Sequence, residues 1–74
     1  MRLPSLKARE VLAALRKAGF EVDHVTGSHY ILRHPNRANR VTVPFHGSED
    51  IKRAVVRTIM EQAGLTEEEF RKLL

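Results

Sequence analysis

The sequence predicts a two-layer α+β sandwich, a three-stranded antiparallel sheet with helices on one face. Three observations predict it. Ala8, Val11, Leu12 and Leu15 recur at helical spacing and are followed by Gly19. Three short runs that read as strands then succeed one another across turn residues. Two further amphipathic stretches close the chain, and helices on one side of a small meander supply the cover its apolar face needs.

The first helix is expected to begin at Ser5, as N-cap, and to run to about Ala18. Arg9, Arg16 and Lys17 lie away from its apolar face, so its outer side is basic. Gly19 supplies the residue that ends it, and Phe20 can fold back onto the last turn.

Phe20 to Val25 reads as a strand, and a second runs from His29 to about His34. Between them, Gly27 permits the positive φ of a type II′ turn, and Ser28 suits the next position. A two-residue turn pairs Thr26 with His29, His24 with Ile31 and Val22 with Arg33. Phe20, Val22 and Ile31 then share one face, and Val25, Tyr30 and Leu32 the other. One residue more or less in the turn would reverse the assignment, so the face carrying His29 stays open at this stage. Residues 35–39, Pro-Asn-Arg-Ala-Asn, are turn chemistry. Arg40 to Val43 forms the third strand, ended by Pro44, which cannot donate to a ladder.

Phe45, His46 and Gly47 read as a loop, and Ser48 as the cap of a second helix with Glu49 and Asp50 in its first turn. Ile51, Val55, Ile59 and Ala63 recur every four residues with Ala54 beside them. Lys52, Arg53 and Arg57 lie elsewhere on that helix, and Gly64 stops it. Thr66 and Glu69 have the spacing of a capping box for a last short helix that carries Phe70, Leu73 and Leu74.

The chain has 74 residues, which suggests one domain spanning residues 1–74. It has no cysteine, hence no disulfide framework or thiolate metal site. The four histidines, at 24, 29, 34 and 46, lack the paired spacing of a helical zinc site. No apolar run approaches the roughly 20 residues that span a bilayer, and the N-terminal stretch does not read as a secretory signal. A soluble cytoplasmic protein is the expectation. A formal charge of +4 and a pI near 10.1 fit a nucleic-acid partner. Phe20, Tyr30, Phe45 and Phe70 are the whole aromatic set, too few for a single-strand binder built on stacking platforms.

The order helix, three strands, helix resembles the double-stranded-RNA-binding fold. Several pieces in sequence resemble one family more closely. They are Gly19-Phe20, Gly27-Ser28-His29-Tyr30, Val41-Thr42-Val43-Pro44 followed by His46, and the C-terminal run with Gln62-Ala63-Gly64-Leu65 and Glu69-Phe70. Together they resemble the HicA toxins, also called YcfA-like proteins, over nearly the whole chain. The resemblance implies a small ribonuclease that cleaves messenger RNA and is held inactive by a HicB-type antitoxin. It implies that the essential histidine is that of the Gly-Ser-His motif, here His29. His46 belongs to the pattern without a role that transfers.

The chemistry expected of such residues is spare. RNA brings its own nucleophile, the 2′-hydroxyl, so a base, a proton for the leaving 5′-oxygen and positive charge for the phosphorane suffice without a metal or other cofactor. Imidazole titrates near neutrality, which suits His29 to acid–base work. Ser28 is expected as a positioner or donor, although a turn residue already explains it. Arg37 and Arg40 flank the second hairpin as phosphate clamps, and His46 is a further candidate for contact with RNA. His24 and His34 carry no signal above that of surface histidines. Two other readings compete: a non-catalytic RNA-binding module, and an interaction module whose only partner is a protein. Partner control is expected to be steric, by covering His29 and the basic surface.

Overall fold

The computed structural model describes residues 5–47 and 49–74. Its elements run β1 (Leu6–Lys7), α1 (Ala8–Lys17), β2 (Glu21–Thr26), β3 (His29–His34), β4 (Arg37–Pro44), β5 (Asp50–Ile51), α2 (Arg53–Ala63) and α3 (Glu67–Leu73). The main sheet has the antiparallel order β2-β3-β4, and the predicted succession of one helix, three strands and two helices is present. A second, two-stranded ribbon joins β1 to β5, with Leu6 opposite Ile51 and Lys7 opposite Asp50.

That ribbon corrects two helix starts. Ser5 is not a cap: Lys7 occupies that position, and its backbone N–H donates to Glu10 Oε1 at 2.9 Å. Residues 6 and 7 are extended because Leu6 is buried against the core and Lys7 Nζ meets Asp50 Oδ1 at 2.7 Å. The second helix likewise starts at Arg53, with Lys52 as N-cap, so Glu49 and Asp50 precede it. Ser48, read as its cap, lies outside the described residues. The shift also changes the apolar stripe. Val56, Ile59, Met60 and Ala63 face inward, Val55 is half-buried and Ala54 exposed, while Ile51 is buried from the ribbon instead.

The first helix buries its expected face, Ala8, Val11, Leu12 and Leu15, together with Ala14. Its end follows from Gly19, at φ +99°, a left-handed conformation that a side chain resists. There the Phe20 N–H donates to the Leu15 carbonyl and the Gly19 N–H to that of Arg16, both at 3.0 Å, closing a Schellman motif. Phe20 is thereby folded into the core. The last helix has its capping box: the Glu69 N–H donates to Thr66 Oγ1, and the Thr66 N–H to Glu69 Oε1. This anchors Phe70, which is fully buried.

The sheet separates two faces. Tyr30 opposes Val43, and Leu32 opposes Val41; Leu32, Val41 and Val43 are fully buried toward the helices. Residues alternate along a strand, so His29 and Ile31 lie on the face the helices leave open. At β4, the outer edge of the sheet, the Thr42 N–H donates to Gln62 Oε1 of α2 at 3.1 Å, which covers that edge.

Two details of the sheet differ from expectation. Strand β4 begins at Arg37, because His34 pairs with Arg37 across a turn of only Pro35 and Asn36. Asn36 closes it by donating its N–H to His34 Nδ1 at 3.0 Å. In β2 the register slips between Val22 and His24, so Val22 opposes Leu32 rather than Arg33. The extra residue is Asp23, which forms a bulge and turns Val22 to the helix side instead of the Ile31 side. Val25 pairs with Tyr30 as expected but, near the hairpin tip, remains 50% exposed.

Candidate functional site on the open sheet face

The site begins with the turn. Thr26 pairs with His29, which leaves Gly27 and Ser28 as a two-residue connection with Gly27 at φ +56°. Among the described residues no side-chain-bearing residue has positive φ, so Ser28 does not, and the turn fits the expected type II′ geometry. A longer loop would leave His29 free to wander; this one fixes it as the first residue of β3. His29 is exposed on the open face, flanked by Thr26 on β2 and Pro44 on β4.

The loop after β4 is tied to the same end. The Phe45 N–H donates to the Ser28 carbonyl at 2.6 Å, and the Phe45 ring packs on Tyr30 with centroids 5.1 Å apart. His46, the next residue, is exposed and lies two residues beyond the Pro44 that opposes His29. Ser28, His29 and His46 are therefore brought to one end of the sheet.

The two arginines separate. Arg40 precedes Val41, whose side chain is in the core, so alternation sets Arg40 on the open face with His29. Arg37 stands at the far end of the hairpin, opposite His34. It lines a cavity of about 470 Å³ on the helix side with Ala18, Phe20 and Leu65, and its guanidinium lies over Gly64. His34 is five positions beyond His29 along β3, roughly 16 Å. Arg37 does not reach His29.

The open face also carries residues that sequence reasoning passed over. Asp23 Oδ2 lies 2.9 Å from His24 Nδ1, and Asp23 Oδ1 lies 3.7 Å from Arg33 Nε. Arg33, Arg40 and Glu21 line one shallow cavity of about 250 Å³ with His34 and Pro35. The hydrogen bond from His24, aided by the charges of Arg40 and Arg33, holds the Asp23 carboxyl below its ordinary range. Adjacent strand residues normally point to opposite faces. The Asp23 bulge is what sets carboxylate and imidazole side by side, and no residue pattern announces a bulge of this kind. Arg33 had a visible signal, since alternation from His29 places it on His29's face.

This geometry defines the class: a small basic α+β protein of helix-strand-strand-strand-helix-helix order, with an exposed histidine and arginines on the uncovered side of its sheet. A family model described as the HicA toxin of bacterial toxin–antitoxin systems matches residues 8–65. The chain belongs to the HicA toxin family, which makes it a toxin of a toxin–antitoxin system with an antitoxin as its implied partner. No curated protein matches the chain. Among the described residues, no helix is long and apolar enough to cross a membrane.

Proposed function

We propose that this toxin is an endoribonuclease that cleaves messenger RNA at the open sheet face, with His29 as general acid–base and no metal in the reaction. The observation that carries the reading is the placement of His29. It is exposed and held by a two-residue turn, and strand alternation puts Arg33 and Arg40 on the same uncovered face, each four positions along its strand from the His29–Pro44 pair. An RNA strand laid along that face meets an imidazole able to move a proton to or from the 2′-hydroxyl or the leaving 5′-oxygen. The arginines meet the phosphates, and the sheet needs no rearrangement to admit the strand.

Within this reading Ser28 fixes the loop behind the catalytic end through its carbonyl, and its hydroxyl is available to the substrate. His46 borders the same end as an RNA-contacting residue. Arg40 holds a phosphate on the open face, whereas Arg37, at the other end and on the helix side, serves no phosphate next to His29. A HicB-type antitoxin inhibits by occupying the open face, and the chain's charge of +4 favours an acidic partner surface.

The deciding experiment is cleavage of a defined RNA by purified protein, without ribosomes and with chelator present, beside His29→Ala. Scission by the wild type, lost in the variant while RNA binding is kept, is the expected result. Salt-sensitive binding without scission in either protein would make it a non-catalytic RNA-binding module. No RNA affinity at low salt would leave only a protein partner.

A further inference from the structure

His24 and His29 lie on one face of one hairpin, and this juxtaposition has a chemical consequence. His24 opposes Ile31, and His29 is two residues before Ile31 on the same strand. The two histidines are therefore diagonal neighbours, with backbones roughly 7–8 Å apart, within reach of aromatic and other long side chains. A phosphodiester resting on Ile31 would have one imidazole on either side. Both rings are exposed, and their cross-strand partners, Ile31 opposite His24 and Thr26 opposite His29, carry no charge.

The two rings differ in their support. His24 has Asp23 on Nδ1 at 2.9 Å, which fixes the ring and leaves Nε2 for a ligand. A carboxylate in that position orients an imidazole and meets its charge when it is protonated. The Asp23 carboxylate is itself steadied by Arg33 at 3.7 Å, with Arg40 nearby on the same face. Among the described residues, no carboxylate pairs with the His29 ring in this way. The bulge that creates the Asp23–His24 pair costs the sheet a regular ladder position, and bulges of this sort re-aim side chains beside active sites.

We propose that His24 is the second imidazole of the reaction: it protonates the departing 5′-oxygen while His29 accepts the proton of the attacking 2′-hydroxyl, with Asp23 as the positioning residue for His24. The inference rests on the nuclease reading above. In the step, the O2′–P bond forms as the P–O5′ bond breaks. The 2′-hydroxyl proton passes to His29 Nε2 or Nδ1, and the proton on His24 Nε2 passes to the leaving oxygen. The products are a 2′,3′-cyclic phosphate and a free 5′-hydroxyl, and no oxidant, reductant or other co-reactant is consumed.

The test uses an RNA whose cleavage position has been mapped with the wild type, made in two forms. One has the natural 5′-oxygen at that position; the other has a bridging sulfur, whose thiolate leaves without a proton. On the natural RNA, His24→Ala and His24→Gln should each lose about 10²–10⁴-fold in rate, the range of general acid catalysis. On the sulfur-bridged RNA the loss should disappear for both, whereas His29→Ala should remain impaired. Asp23→Asn should show a smaller loss that the sulfur substrate also removes, which a merely structural role would not produce. If His24→Ala cleaves natural RNA at the wild-type rate, the proposal is wrong and the nuclease reading stands. If its defect is equal on both substrates, His24 is not the acid. If the wild type cleaves no RNA, so that no position can be mapped, both the nuclease reading and this inference fall.

Discussion

The backbone N–H of Phe45 donates to the carbonyl of Ser28 at 2.6 Å, tying the loop that carries His46 to the turn that presents His29. Because the tie is backbone to backbone, it depends on what holds the two segments in register. That is the packing of Phe45 on Tyr30 against the core. Phe45→Ala should therefore act on both stability and activity. The ring is half-buried, so the cost should be about 1–2 kcal/mol, below the ~3–5 kcal/mol of a fully buried Phe. Cleavage should fall by more than that loss of folded protein explains. Urea denaturation and RNA cleavage on the same preparation check this, and unchanged cleavage would show that the loop is dispensable.

Gly19 is required twice over. Its φ of +99° disfavours any side chain, and a Cβ there would come within 2.8 Å of His34 Nε2. His34 cannot simply retreat, since its ring meets Phe20 edge-on at 5.0 Å and its Nδ1 accepts the Asn36 N–H. Gly19→Ala should destabilise by about 1–3 kcal/mol, as expected for a residue forced into a sparsely populated region. Combined with His34→Ala, the total should be less than the sum of the two single losses, because the collision disappears while the backbone strain remains. Thermal or urea denaturation of the four proteins measures it, and strict additivity would remove the collision from the account.

How much of this was legible follows from what each feature writes into the chain. The Schellman end at Gly19-Phe20, the Gly27-Ser28 turn and the Thr66–Glu69 box are local, and each is spelled by adjacent residues. The β1–β5 ribbon is not, because Leu6 opposite Ile51 joins segments 45 positions apart, each too short to show a period. By periodicity alone Leu6 and Ile51 fall into the helices that follow them. The Asp23 bulge was invisible for a different reason: strand alternation puts Asp23 and His24 on opposite faces until one residue is left unpaired. His29 and Arg40 could be nominated from position alone. That Arg37 stands on the other side of the sheet depended on the hairpin turning at Pro35-Asn36, three residues sooner than expected.

Acid should weaken the fold through two carboxylates held below their ordinary values. Asp23 is lowered first by the hydrogen bond from His24, and Glu69 first by that from the Thr66 backbone N–H. A folded state that binds a proton less readily than the unfolded chain gains stability above the ordinary pKa values, here 3.8 and 4.5. That gain is lost as pH falls through the lowered folded values. The melting temperature should thus decline from about pH 5 toward pH 3. Glu69→Gln should flatten the decline, since an amide oxygen keeps the cap but does not titrate. A variant with the wild-type pH profile would show that the capping carboxylate contributes nothing there.

The two hairpin arginines should separate in a salt titration of RNA binding. Arg40 shares the open face with His29 and Arg33, while Arg37 lies over Gly64 on the helix side. A side chain that neutralises one phosphate releases about 0.7 of a counterion from a single strand, so Arg40→Ala should reduce the slope of log K against log salt by about that amount. It should also weaken binding at low salt by several-fold, with little effect on folding, because Arg40 is exposed. Arg37→Ala should leave both slope and affinity at the wild-type values. The pair is informative because charge is removed equally in both variants. If the two lose equal affinity, long-range attraction to the net charge explains binding and the open face has no special claim on the RNA. If Arg37→Ala loses more, the RNA path crosses the far end of the hairpin, and the position of His29 relative to the bound strand must be redrawn.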